Sequence, residues 1–497
     1  MVRIEIRFAI VSLLVCMLKV RGTESHIDLL ALEKKLDKSL ELINYPPDPW
    51  RPSVIDSSIL DVAIIGGGMS GCTAAFALLR QGVTNIQVYD QNAEGFEGPW
   101  MTFARMRCLQ SWKGLMGPAL SIPYLTFQAW YQALMGEQAW QELDFIPNEV
   151  WMNYLKWYRK VLNLPVKNKY KLELIVPHTN YFELRFINSQ GFAEVIKTRK
   201  IVLATGRSGF GGLSIPTCMN TLSKEKYAHA GEVITESLKD KHIVVIGNGA
   251  SAFDAAAYAL EKKAQSVTML MRGAKLSNIS KTNKLSFEGC YQGFYYLADK
   301  DRYRFFDYLF SEGKCPPPSA LKRVEGYQNF ALYRDILIIE ILENSESIEI
   351  KTSHKSFHCD YIIVATGFEI DGFKQQELAQ VIDKILLWGD RIVAKDRASD
   401  IKKRLGRFPY LGQSFEFLEK KQGIAPFLKN IYCFNYAASL SHGLISMDIK
   451  GISVGATRLA QGIAADLFVQ EAPAHFKNLQ DYSQALFDEQ DFSFLLS

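Results

Sequence analysis

Two stretches of this chain run from an apolar strand into a glycine-rich turn and then a helix. Each is followed downstream by a strand that ends in Ala-Thr-Gly. The first passes from Asp61 through Val-Ala-Ile-Ile into Gly66-Gly67-Gly68-Met69-Ser70-Gly71. The second passes from His242 through Ile-Val-Val-Ile into Gly247-Asn248-Gly249-Ala250-Ser251-Ala252. The strand ends are Ala204-Thr205-Gly206 and Ala365-Thr366-Gly367. A turn of this kind gathers free N–H groups and the positive end of a helix at one spot, which suits a pyrophosphate. Two such units predict an α/β chain with two Rossmann-like dinucleotide-binding domains, one inserted in the other, in a layered β-β-α and α-β-α arrangement. That chain holds two dinucleotides at once and passes electrons between them.

Each position in the first unit has an expected task. Gly66 lets the chain turn tightly, Gly68 lets the backbone approach a pyrophosphate, and Gly71 lets helix and strand pack closely. Met69 and Ser70 complete the loop, and Asp90 ends the next strand, where a carboxylate accepts ribose hydroxyls. The second unit keeps Gly247 and Gly249 but carries Ser251 and Ala252, and its next strand ends at Met271-Arg272. An arginine there pairs with a 2′-phosphate that a carboxylate repels, so the second site is expected to prefer NADPH, with Lys275 as a possible aid. Thr205, Gly206, Thr366 and Gly367 are expected where backbone passes close to a bound dinucleotide or crosses between domains.

Bulk properties exclude several other classes. Across 497 residues, 57 basic and 53 acidic side chains leave a net charge of +4, too little to argue for nucleic acid. The eight cysteines form no CxxC, which fits a reduced, cytoplasmic compartment and argues against a disulfide reductase. No GxSxG elbow precedes a helix. The pair His354 and His358 lies in a strand-like stretch, so no metal is expected. Near the start, residues 8–18 are apolar but too short to span a bilayer. Glu5 and Lys19-Val20-Arg21 fit a secretory signal poorly, which favours a dispensable extension, with Met17 as a candidate start.

Along the chain, residues 26–43 carry leucines at helical spacing and stop at Tyr45-Pro46-Pro47. Residues 100–164 hold six of the eight tryptophans, and residues 149–162 read as an amphipathic helix. These aromatics are expected mainly in the core, with a substrate cavity as the alternative. Residues 170–194 alternate like antiparallel strands, and 451–471 read as a helix. The expected division is an extension over 1–54, a first dinucleotide unit over 55–210, an NADPH unit over 211–360, and the rest of the first unit over 361–497.

These residues resemble the two-dinucleotide-binding-domain flavoproteins, specifically flavin monooxygenases of the flavin-containing and Baeyer–Villiger type. They are also similar to uncharacterised bacterial FAD/NAD(P)-binding oxidoreductases. Gly98-Pro99-Trp100 looks like the segment that follows the FAD unit there, and Ser441-His442-Gly443-Leu444 resembles a carboxy-terminal segment of the N-hydroxylating branch. The stretch after the first Ala-Thr-Gly reads Gly211-Gly212-Leu213 rather than FxGxxxH, with His229 further on. The resemblance implies FAD at the first unit, NADPH at the second, and oxygen transfer to nitrogen, sulfur or a carbonyl carbon of a small molecule through a C4a-(hydro)peroxyflavin. Arg105, Arg107 and His442 are candidates for a group near the flavin. The alternative is an NADPH-dependent flavoprotein reductase or oxidase that oxygenates nothing organic.

Overall fold

The computed structural model describes residues 24–52, 58–313, 315–344, 347–392 and 400–486. The amino-terminal segment with its candidate start at Met17 lies outside the described residues. The chain enters through α1 (Glu24–Leu42), whose Leu32, Leu36 and Leu40 are buried at four-residue spacing. Prolines end that helix, and Trp50 anchors the strap by donating its indole N–H to Gln81 O at 2.7 Å.

The first unit is built on β1 (Leu60–Ile65), α2 (Met69–Arg80) and β2 (Ile86–Asp90). Two helices, α3 (Phe127–Glu142) and α4 (Asn148–Val161), carry the aromatic stretch. Phe127, Trp130, Trp140, Trp151, Tyr154, Trp157 and Tyr158 are all buried in one cluster of ring contacts. Core packing therefore accounts for most of these aromatics; Trp100 is half-buried against Trp151, and Trp112 is exposed.

Next come β3 (Val166–Asn168), β4 (Lys171–Pro177), β5 (Phe182–Ile187) and β6 (Ala193–Leu203). The sheet order is β3-β2-β1-β6-β5-β4. Strands β3, β2, β1 and the inner half of β6 run parallel, while β5 and β4 fold back antiparallel from the outer half of β6.

An antiparallel ribbon leads out of this unit and back. It pairs β7 (Gly211–Leu213) with β16 (Phe368–Ile370). Between them β8 (Tyr227–His229), β9 (His242–Ile246), α5 (Ala250–Glu261) and β10 (Ser266–Leu270) start the second unit. The helices α6 (Glu288–Gly293), α7 (Asp299–Glu312) and α8 (Pro318–Val324) follow. Then come β11 (Phe330–Tyr333), β12 (Ile338–Glu343), β13 (Ile348–Thr352), β14 (Ser356–Cys359) and β15 (Tyr361–Val364). Five parallel strands order as β11-β10-β9-β15-β8, and β12-β13-β14 form a small antiparallel sheet beside them.

Two expected boundaries move. Strand β15 belongs to the second sheet, between β9 and β8, so that unit extends through Val364 rather than ending at 360. In addition, α6 and α7 leave the second unit. Tyr291, Phe294 and Phe306 are buried in the first unit's core, because apolar side chains there find the carboxy-terminal helices rather than the second sheet.

The chain returns through α9 (Trp388–Arg391), α10 (Asp400–Gly406) and β17 (Ile431–Cys433), the last parallel to the inner end of β6. It closes with α11 (Ser439–His442) and α12 (Ile452–Asp481), which lies along α2. Helix α12 runs past the expected end at 471 and past Pro473; His475 packs between Phe468 and Trp50, which holds the far turn in place. Buried charges fix this helix to the sheet. Lys200 of β6 is fully buried, donates to Asn430 Oδ1 at 2.8 Å and pairs with Asp466 of α12. Burial pushes its ammonium down to about 8. Further along, Glu471 accepts from both Arg51 and Arg199. No described helix is long and apolar enough to cross a membrane.

Candidate functional site

Both glycine loops are built to one plan. The Gly66 amide donates to Tyr89 O at 2.8 Å and the Gly247 amide to Leu270 O at 3.0 Å, so each loop starts pinned to its neighbouring strand. Gly66 has φ +107°, and a Cβ there would stand 2.4 Å from Ala204 O. Gly247 has φ +147°, and a Cβ there would stand 2.4 Å from Ala365 O. Each Ala-Thr-Gly therefore presses its alanine carbonyl onto the first glycine of its loop, which explains why the small residues recur in pairs. Gly68 and Gly249 are different: a Cβ at Gly68 would meet nothing nearer than 3.8 Å, and one at Gly249 nothing within 4 Å. Bare backbone faces open space at Gly249 and only the Gly98 backbone at Gly68, room that a pyrophosphate cradle requires.

The first loop is closed from several sides. A Cβ at Gly71 would stand 1.8 Å from Gly66 O, so helix and strand touch there. Asp90 is buried and accepts from the Gly67 amide and the Asn92 amide, each at 2.7 Å. Burial raises its carboxyl above the ordinary range, against the pull of those two donors. A carboxylate offers about four acceptor positions, so Asp90 can hold the loop and still receive hydroxyls. Ser70 donates to Ser446 O at 3.0 Å, which joins α2 to the carboxy-terminal segment. Trp100 stands just beyond Gly98, whose backbone faces Gly68.

Thr205 and Gly206 sit on the same rim. Asn435 donates to Thr205 Oγ1 at 3.1 Å, and Gly206 O accepts from the Tyr436 amide at 3.2 Å. Below the loop Glu97 is 3% exposed and accepts from Arg159 at 3.0 Å and Asn168 at 2.6 Å. Asn435 opens the carboxy-terminal segment 435–445 that resembles the N-hydroxylating branch, whereas Glu97 stands in no recognisable sequence pattern and only folding reveals its place.

The second loop is more open. Ala252 is fully buried, but Ser251 is exposed, and so is Arg272 at the end of β10. Thr366 donates to Ser214 O and Gly367 O accepts from the Ser214 amide, which ties the second Ala-Thr-Gly to the ribbon between units. His229 lies beside it, 1% exposed. Its Nδ1 accepts from the Gly231 amide at 2.9 Å, which places the proton on Nε2. That Nε2 is buried without a hydrogen-bond partner, and burial lowers the imidazole below its ordinary range, so the ring is neutral.

The three residues considered for a place near the flavin all make defined protein contacts. His442 is fully buried and stacked between Phe415 at 3.9 Å and Tyr295 at 4.8 Å. It faces Gly412 O through Nε2 at 2.9 Å, and burial drives it well below its ordinary range. It is a neutral packing residue. Arg105 and Arg107 reach across to the second unit instead. Arg105 donates to Ala230 O and Glu232 O, and Arg107 pairs with Glu261 at 2.7 Å.

With this geometry in place, known proteins resemble the chain in three ways. Residues 131–370 match the family model for L-lysine 6-monooxygenase/L-ornithine 5-monooxygenase. The FAD-dependent urate hydroxylase of Xanthomonas campestris pv. campestris is 34% identical over 466 residues, covering 93% of this chain and 98% of that one. The chain belongs to the flavin-dependent monooxygenases.

Solved flavin monooxygenases share its fold. Ornithine hydroxylase from Pseudomonas aeruginosa superposes with a TM-score of 0.66 at 16% identity, over 82% of this chain and 100% of that one. The FAD-bound cadaverine monooxygenase from Erwinia amylovora gives 0.62 at 16% identity, over 82% and 95%. For a flavin monooxygenase, the two loops fit dinucleotides on structural grounds: each carries a glycine at a helix start where a Cβ would meet no atom nearer than 3.8 Å.

Proposed function

We propose that this flavin monooxygenase binds FAD at residues 66–71 and NADPH at residues 247–252, and oxygenates a small planar nitrogen heterocycle of the urate type. The observation that carries the substrate class is the 34% identity to a urate hydroxylase along 98% of that protein's length. The net reaction consumes one NADPH, one proton and one O2, and yields oxygenated substrate, NADP+ and water. FAD, when bound, supplies the reduction of O2 that no side chain provides.

The chain's own residues bind and position. Gly68 and the start of α2 offer N–H groups to the FAD pyrophosphate, and Asp90 offers its free acceptor positions to a ribose. Gly249 and the start of α5 do the same for NADPH, with Arg272 facing the 2′-phosphate. His229, buried beside the second Ala-Thr-Gly, packs against Phe368 and accepts from the Gly231 amide, which supports the ribbon between the units. Alongside Trp100, Thr205, Gly206, Thr366 and Gly367 line the two rims.

Substrate-stimulated NADPH oxidation tests this reading. Urate is expected to accelerate NADPH oxidation and to lower the H2O2 released per NADPH, with urate and NADPH consumed one for one. Ornithine or lysine producing that coupling, with urate inert, would instead favour the amine hydroxylation named by the family match over residues 131–370.

A further inference from the structure

A single segment, residues 101–110, leaves the first unit directly after Trp100 and is fastened on both sides. On the first-unit side the backbone of α4 and its approach hold it. Asn148 donates its side-chain amide to Met106 O at 2.6 Å and its backbone amide to Arg107 O at 3.1 Å, and the Leu109 amide donates to Ile146 O at 2.8 Å. On the second-unit side the contacts are made mainly by arginines. Arg105 Nη1 donates to Ala230 O at 2.7 Å and Nη2 to Glu232 O at 2.6 Å, both just beyond β8. Its guanidinium stands 5.4 Å from the Tyr258 ring of α5.

Arg107 pairs with Glu261 of α5 at 2.7 Å, and Gln110 donates to Ser319 Oγ of α8 at 3.0 Å. Arg323 of α8 completes the join: it donates to Arg105 O at 2.8 Å and to Asp254 Oδ1 at 2.7 Å, and grips Glu261 with two further nitrogens. Between these groups lies a cleft of about 270 Å³ lined by Phe103, Arg105, Arg107, Ile234, Tyr258 and Arg323.

We infer that residues 101–110 form a clasp that fixes the second unit's orientation on the first, with Arg105 as the principal positioning residue. This rests on the assignment of the two glycine loops to FAD and NADPH. The polar groups at the join are matched. Arg105 donates to two carbonyls across the cleft, and Asp254 and Glu261 are both held by Arg323. The segment begins at the flavin-side tryptophan and ends against the NADPH-side helices, so a shift of the second unit must pass through it. A displacement of about 1 Å between reacting groups costs on the order of a hundredfold in rate, so a clasp at this point governs the electron transfer between the two nucleotides.

The test uses full-length protein and the variants Arg105→Met, Arg105→Lys and Arg107→Gln. In cofactor-free protein, hydrogen–deuterium exchange is followed over residues 101–110 and 230–236. Arg105→Met is expected to speed exchange in both segments together, with the thermal midpoint and FAD content unchanged. In FAD-loaded protein its anaerobic bleaching by NADPH slows about tenfold or more while NADP+ affinity changes less than about twofold. Arg105→Lys recovers part of the rate, and Arg107→Gln shows a smaller slowing. Should Arg105→Met not fold, Arg107→Gln carries the same comparison. Exchange that rises in 101–110 alone, or bleaching at the wild-type rate, overturns the clasp. A protein that binds no FAD overturns the loop assignment instead, and the exchange data still report on the clasp.

Discussion

The first glycine loop is walled in. Met69, Ser70, Gly71 and Cys72 are all buried, α12 lies along the helix they open, and Ser446 and Asp90 fasten the loop from two directions. The second loop has the same turn, the same pinned first glycine and the same alanine carbonyl above it. Yet Ser251 and Arg272 face solvent, and the helix packed along α5 is the short α8 rather than one as long as α12, which lies along α2. The same local chemistry thus sits in two settings. A loop enclosed by its own domain suits a cofactor that stays, and an exposed loop suits one that arrives, reacts and leaves.

The largest expected effect strikes the enclosed loop. Gly71→Ala puts a methyl 1.8 Å from Gly66 O, where backbone meets backbone and nothing flexible can yield. The cost is expected to exceed about 3 kcal/mol, read as a lower urea midpoint and loss of bound flavin. The matching change in the other loop, Ala252→Gly, is expected to cost only about 1 kcal/mol and to leave the flavin in place. Equal effects from the two variants would break the comparison.

Next in size is the wall itself. Asp466→Ala leaves the fully buried Lys200 without its carboxylate, and removal of one partner from such a pair costs about 3–5 kcal/mol. Because Lys200 anchors α12, flavin release on warming is expected to move down with the unfolding transition. Smallest is Arg272→Ala, which sharpens the comparison at the exposed loop. A charge-assisted hydrogen bond of about 1.5–3 kcal/mol sets the expectation that the NADPH-over-NADH preference in kcat/KM falls about tenfold or more. An unchanged preference ratio rules that role out.

The features legible in the sequence are the local ones. Each glycine loop, each Ala-Thr-Gly, and the leucine spacing of α1 report a backbone need or a burial pattern within a few residues. The pressed alanine carbonyls show why the tripeptides recur. The less legible features depend on partners far along the chain. Strand β15 looked like a return to the first unit, but its neighbours β9 and β8 lie more than a hundred residues before it. Helices α6 and α7 lie between second-unit elements, yet their aromatic side chains complete the first core. Arg105, Arg107 and His442 share a residue type with groups that assist oxygen chemistry, and only packing shows two at a domain join and one sealed between rings. Lys200 reads as an ordinary strand lysine until Asp466 is placed beside it.

The insertion of one unit within the other also orders events during synthesis. Strand β6 ends at Leu203, and its parallel neighbour β17 begins at Ile431. At translation rates of about 5–20 residues per second, that interval is roughly 10–45 s. Through it the inner half of β6, paired on one side with β1, lacks its β17 neighbour, and the long helix that covers α2 has yet to leave the ribosome. The inserted domain emerges complete within that window. The helix that walls in the first glycine loop is the last of the described helices to emerge.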